Sequence, residues 1–165
     1  MRLLLALLAL LAPQAAGAAT CRDDMFEGMS FTLCEVTADE DLRLFQNGAD
    51  GPLGSFRAVD EALATEGKQL DFAMNAGMYH RDLSPVGLFI GEGVESAPLV
   101  TRAGPGNFGL LPNGVFCWGR PGQGFRVIES RTFAAEGPDC RYATQSGPIL
   151  VIRRKLHPRF LPDSD

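Results

Sequence analysis

Of 165 residues only two are histidines, two are tyrosines and one is tryptophan, and bases are outnumbered by acids, 15 to 20. Four cysteines are present, yet no two are close in sequence, and His80 and His157 are the only imidazoles. No metal-ligand spacing of the zinc type follows from such a set. An acidic chain offers no polybasic face for a nucleic-acid backbone. Fixed-period repeats and heptads are lacking, which excludes solenoids and coiled coils. Gly104-Pro105-Gly106 lacks the lysine and helix of a phosphate cradle. Ser146 has no glycine two residues before it, so it is not in a nucleophile elbow.

What is present begins with an export signal. Met1-Arg2 precedes the apolar run Leu3 to Ala12, and small residues follow through Ala18-Ala19. This order predicts a secretory signal peptide over residues 1–19, cleaved after Ala18 or Ala19. The run is too short to span a bilayer, and no second one follows it. Cleavage removes one base, Arg2, leaving 14 bases against 20 acids and a net charge of −6. Residues 20–165 then form one domain of a periplasmic or secreted protein. Cys21, Cys34, Cys117 and Cys140 all survive cleavage. An even count in an exported chain reads as two disulfides with three possible connectivities. Sequence order favours Cys21–Cys34 and Cys117–Cys140.

Nineteen glycines and eleven prolines point to turns and a sheet-rich fold. Strands are expected at Met29–Val36, Leu42–Phe45, Leu70–Met74, Val86–Ile90, Phe125–Ile128 and Ile149–Ile152. Phe108–Leu111 and Val115–Trp118 are expected to form a hairpin turning at Asn113-Gly114. One helix is expected over Phe56–Glu66. Ser55 caps it, Phe56, Val59 and Leu63 form its apolar stripe, and Gly67 ends it. Together these give an α+β domain of about seven short strands in a mainly antiparallel sheet, with the helix packed on it.

Two segments place polar groups at breaks in this pattern. In Asn75-Ala76-Gly77-Met78-Tyr79 an apolar strand ends on an asparagine, and Gly77 permits a sharp turn toward a cleft. In Thr144-Gln145-Ser146-Gly147-Pro148 two hydrogen-bonding side chains precede a Gly-Pro break. With Ser84-Pro85-Val86-Gly87-Leu88, these segments resemble the phosphodiester glycosidase family. That family is named for the enzyme that uncovers mannose 6-phosphate by removing N-acetylglucosamine from a phosphodiester. The likeness is to its bacterial exported members and runs from about Phe31 onward.

The resemblance implies hydrolysis of a sugar phosphodiester of the envelope, with a carbohydrate or sugar-phosphate substrate and no required cofactor. Asn75, Gly77, Tyr79, Ser146 and Gly147 carry over position by position. Expulsion of a phosphate monoester from an anomeric carbon needs little proton donation, so one base that activates water suffices. His80 and Asp82, just after the Asn75 turn, are candidates for that base. Arg102, or Arg153 and Arg154, are candidates for the phosphate, and Gln145 for substrate contact. Family domains continue past the polar Pro162-Asp163-Ser164-Asp165 at which this sequence stops. An incomplete domain, short of its C-terminal strands, is therefore expected. A glycan-binding module without catalysis, or an inactive remnant, are the alternative readings.

Overall fold

A computed structural model describes residues 19–157 and residue 160. The expected signal peptide, apart from Ala19, and the polar C-terminal stretch lie outside the described residues. The architecture is α+β and mostly antiparallel sheet. Strands β1 (Thr20–Phe26) and β2 (Met29–Glu35) form a hairpin, and β3 (Asn47–Gly48) pairs with β4 (Gly51–Pro52). Helix α1 (Phe56–Ala64) precedes β5 (Phe89–Gly91), β6 (Val94–Ala97), β7 (Gly114–Trp118) and β8 (Arg126–Glu129). Helix α2 (Ser130–Glu136), β9 (Tyr142–Ser146) and the small hairpin β10 (Val151–Ile152) and β11 (Lys155–Leu156) complete it.

The main sheet has the order β6-β5-β9-β7-β8, every pair antiparallel. Its register sorts side chains between two faces by the period of two along each strand. Val115, Cys117, Ile128 and Ala143 point to one side and pack with Leu88, Cys140 and Phe133 of α2 into the closed core. Phe116, Trp118, Val127, Thr144 and Ser146 point to the other side and line a groove. The second wall of that groove is built from α1 and from residues 42–46 and 68–79.

Both expected disulfides form. Cys21 and Cys34 face each other across the β1–β2 ladder, and Cys117 of β7 reaches Cys140 just before β9. The bridges close loops of similar separation, 13 and 23 residues, but constrain different things. Cys117 and Cys140 belong to the core, whereas the hairpin's side-chain hydrogen bonds stay within it. Replacing Cys117 and Cys140 together by alanine is expected to cost the main unfolding transition about 2–4 kcal/mol. Replacing Cys21 and Cys34 by serine should leave that transition unchanged. Parallel melts that fell equally would refute this separation.

Helix α1 forms as expected, with the Ser55 Oγ accepting from the Ala58 N–H at 3.2 Å and Val59 and Leu63 buried. It ends at Ala64 rather than Glu66, because Gly67, at φ +71°, turns the chain so that the Lys68 N–H bonds the Leu63 carbonyl. Three expectations fail. Leu42–Phe45 joins no ladder; the Leu42 carbonyl instead accepts from the Trp118 indole N–H at 2.9 Å. Leu70–Met74 joins none either, and its first N–H bonds Asp60 Oδ1. Asn113-Gly114 is not a hairpin turn. Asn113 is fully buried, Gly114 opens β7, and Asn107–Gly109 is a short 3-10 turn. The β7–β8 connection is 119–125, where Gly119 and Gly122 supply positive φ.

Candidate functional site

The groove has a volume of about 1320 Å³ and takes in both segments singled out by the sequence. They touch. A methyl group placed on Gly77 would lie 2.7 Å from Thr144 Oγ1 and 3.4 Å from the Gln145 carbonyl oxygen. Only a residue without a side chain lets 75–79 approach β9 so closely. The Thr144 hydroxyl donates to the Ala76 carbonyl at 3.3 Å across the same contact. Asn75 and Ser146 are exposed, Tyr79 is 55% exposed, and all three line the groove together with Gly77 and Gly147.

Gln145 differs from its neighbours. Its side chain is 2% exposed and spends its hydrogen-bonding capacity on the protein. Oε1 accepts from the N–H groups of Leu88 at 3.1 Å and Val100 at 3.0 Å. Nε2 donates to the Val100 carbonyl at 2.5 Å and to Ser130 Oγ at 2.8 Å. It ties together the chain before β5, the chain after β6 and the start of α2. The alternation of a strand explains the difference, since Ser146 and Thr144 face the groove and Gln145 faces inward.

His80, Asp82 and Arg102 are exposed and do not line the groove. Asp82 Oδ1 accepts from the Ser84 N–H at 3.1 Å and its hydroxyl at 2.6 Å, bonds that hold its carboxyl below the usual range. The backbone of His80 closes the same loop, its N–H bonding the Ser84 carbonyl at 2.8 Å. Arg153 and Arg154 form the turn between β10 and β11, both at positive φ. The cations of the groove are Arg43 and Lys68, which the sequence did not mark out. Arg43 grips Asp41 through Nε at 2.7 Å and Nη2 at 2.9 Å, and Glu66 through Nη1 at 2.9 Å. Arg43, then Lys68, hold the Asp41 carboxyl down at about 2. Asp71, four residues before Asn75, lines the groove without an ion pair among the described residues.

On the same face of the sheet as Thr144, Tyr142 stacks on Trp118 with ring centroids 5.4 Å apart and donates its hydroxyl to Glu92. Burial first, then that bond, raises the Tyr142 phenol above its ordinary value. An unfolded tyrosine loses its proton near pH 10, while the folded one keeps it. The folded state therefore binds more protons above that point, and stability falls as pH rises beyond about 10. Melts across the alkaline range should show this slope in the native chain and much less of it in Tyr142→Phe. Equal slopes in the two would remove Tyr142 as the cause.

The fold and the groove define an α+β protein whose sheet is closed by a disulfide on one face and opens to an apolar groove on the other. Two disulfides mark a chain that folds in an oxidising compartment. Among the described residues no helix is long and apolar enough to cross a membrane. No protein-family profile matches the chain, and no solved structure does. It is similar to the uncharacterized protein YigE of Escherichia coli (strain K12), at 30% identity over 125 residues. That match takes in 75% of this chain and 48% of YigE, so the chain spans about half the length of its relative.

Proposed function

We propose that the protein is a periplasmic hydrolase of sugar phosphodiesters whose substrate lies in the groove between β9 and residues 75–79. The observation that carries this reading is the contact of Gly77 with Thr144, which brings Asn75, Tyr79 and Ser146 to one part of a largely apolar groove. An apolar cleft with a few convergent polar groups is what a small-ligand site requires. The leaving phosphate needs little protonation, so the work falls on holding the oxocarbenium-like sugar and directing one water. Asn75 and Ser146 supply hydrogen bonds, Tyr79 a partly exposed ring for the sugar face, and Asp71 the carboxylate that activates water. Asp71 takes this role in place of His80 and Asp82 because it lines the groove and they do not.

The test is release of N-acetylglucosamine from an N-acetylglucosamine 1-phosphodiester by the oxidised, exported chain. Turnover supports the reading. The exposed positions of His80 and Asp82 favour a second one, a glycan-binding module without catalysis. Binding of the same compound without turnover would select it, and neither binding nor turnover would eliminate both.

A further inference from the structure

The groove holds more room than a sugar phosphate needs, and most of its lining is apolar. At about 1320 Å³ it exceeds the roughly 300–1,000 Å³ that encloses a drug-sized ligand. Its floor on the sheet is one row of paired residues. Thr144 of β9 stands opposite Phe116 of β7, and Phe116 opposite Val127 of β8. The ring of Phe125 lies beside the row, 5.5 Å from that of Phe116. A methyl group on Gly114 would meet Ile149 at 3.0 Å and Val127 at 3.2 Å, so Ile149 stands over β7 next to the same row. On the second wall Phe56 and Met74 are more than half exposed, as Val127 is on the floor.

The polar residues gather at one end of this row. Gly77 lies against Thr144, so the turn 75–79 covers the β9 end, and from there the row runs over β7 to β8. Adjacent strands are about 4.8 Å apart, which puts Val127 roughly 10 Å from Thr144. β8 is an outer strand, so the row ends at an open edge of the sheet. The lining discriminates between kinds of aglycone. A nucleotide or a phosphate polymer needs free cations. Arg43 and Lys68, the cations of the groove among the described residues, are already held by Asp41 and Glu66. A second sugar needs hydrogen-bonding groups along its length, and the side chains of Phe116, Phe125, Val127 and Ile149 offer none. A hydrocarbon chain needs only apolar surface to cover, and the row supplies it.

We infer that the aglycone is a lipid alcohol: the substrate is a glycosyl phosphodiester whose sugar sits at Asn75, Tyr79 and Ser146 and whose hydrocarbon chain lies along Phe116 and Val127. The inference rests on the hydrolase reading given above. In the reaction the oxygen of water bonds to the anomeric carbon as the bond from that carbon to the phosphate oxygen breaks. The electron pair of that bond leaves with the lipid phosphate, and the proton of water passes to Asp71. Free sugar and a lipid phosphate monoester are the products. The hydrocarbon chain takes no part in the bond changes. It contributes through binding, where each methylene it buries is worth roughly fourfold.

The test offers the oxidised, exported chain the methyl and octyl esters of N-acetylglucosamine 1-phosphate, below the concentration at which the octyl ester aggregates. The octyl ester is expected to show a kcat/KM at least about 100-fold higher, as burial of about four methylenes gives. Val127→Asn combined with Phe56→Gln should cut that ratio at least about tenfold, because apolar surface is lost from both walls. Both side chains are more than half exposed, so the variant should melt like the parent. Calorimetry with methyl and octyl phosphate needs no turnover. Octyl phosphate should bind at least about 100-fold more tightly, and the variant should lose most of that preference. Equal kcat/KM for the two esters overturns the inference and leaves the hydrolase reading standing. No turnover of either ester, with the same preference among the phosphates, sinks the hydrolase reading alone, since the groove still selects an apolar phosphoester. Equal binding of the two phosphates, or a preference that the variant keeps, overturns the inference whether or not sugar is released.

Discussion

Gln145→Leu is expected to lower stability by about 3–5 kcal/mol, enough to shift the melting temperature by roughly 10–20 °C. The substitution keeps the volume of the side chain and removes every hydrogen bond it makes. The N–H groups of Leu88 and Val100, the Val100 carbonyl and the Ser130 hydroxyl would then be left without it in the sheet's interior. Each unsatisfied buried group costs about 1–3 kcal/mol, and relaxation of the loops around Val100 recovers part of the total. Gln145→Glu offers a sharper version, since an ionised carboxylate cannot donate to the Val100 carbonyl. A melt of Gln145→Leu within a degree or two of the parent would show that these bonds are replaced by water and that the residue is no clamp.

Asn75→Ala is the corresponding result for activity. If Asn75 holds the sugar in the transition state, its loss should slow release of N-acetylglucosamine by about 10²–10³-fold, the usual cost of one preorganised donor. If Asp71 is the base that activates water, Asp71→Asn should cost at least as much. Both side chains are exposed, so neither change should alter the melting temperature. Full activity in Asn75→Ala removes it from the mechanism. Loss of activity with Asp82→Asn but not Asp71→Asn would return the base to the Asp82 loop.

Local chemistry was legible wherever one residue settles the matter. Ser55 and Gly67 bracket α1, and the order of the four cysteines gave the two bridges. Partnership was not. Leu42–Phe45 and Leu70–Met74 have strand composition, but a strand exists only where a neighbour accepts its hydrogen bonds, and these segments meet side chains instead. The converse holds for β1. Asp23 and Asp24 make it a poor strand by composition, yet β2 and the Cys21–Cys34 bridge supply the partner. Helix α2 carries one buried apolar residue, Phe133; the cues to it were Glu129, whose carboxylate caps it, and Gly137, left-handed at its end. Asn75, Gly77 and Ser146 line one groove, as a glycine and strand ends that break a sheet's pattern led one to expect. Gln145, a candidate for substrate contact, has its side chain turned inward onto Leu88, Val100 and Ser130; a strand's alternation can be counted only once its ends are known.

The middle strand of the main sheet is also the last of its five to appear in the chain. β5 with β6, and β7 with β8, are local hairpins that can form as soon as each has been made, but only β9 joins one pair to the other. A chain threaded through a membrane from its N-terminus would hold two separate hairpins until Ser146 had crossed. Cys117 would wait for Cys140 over the same interval, while Cys21 and Cys34 could already be joined. Assembly should therefore be late and abrupt, with the unpaired edges of β5 and β7 open to other chains until β9 slots between them.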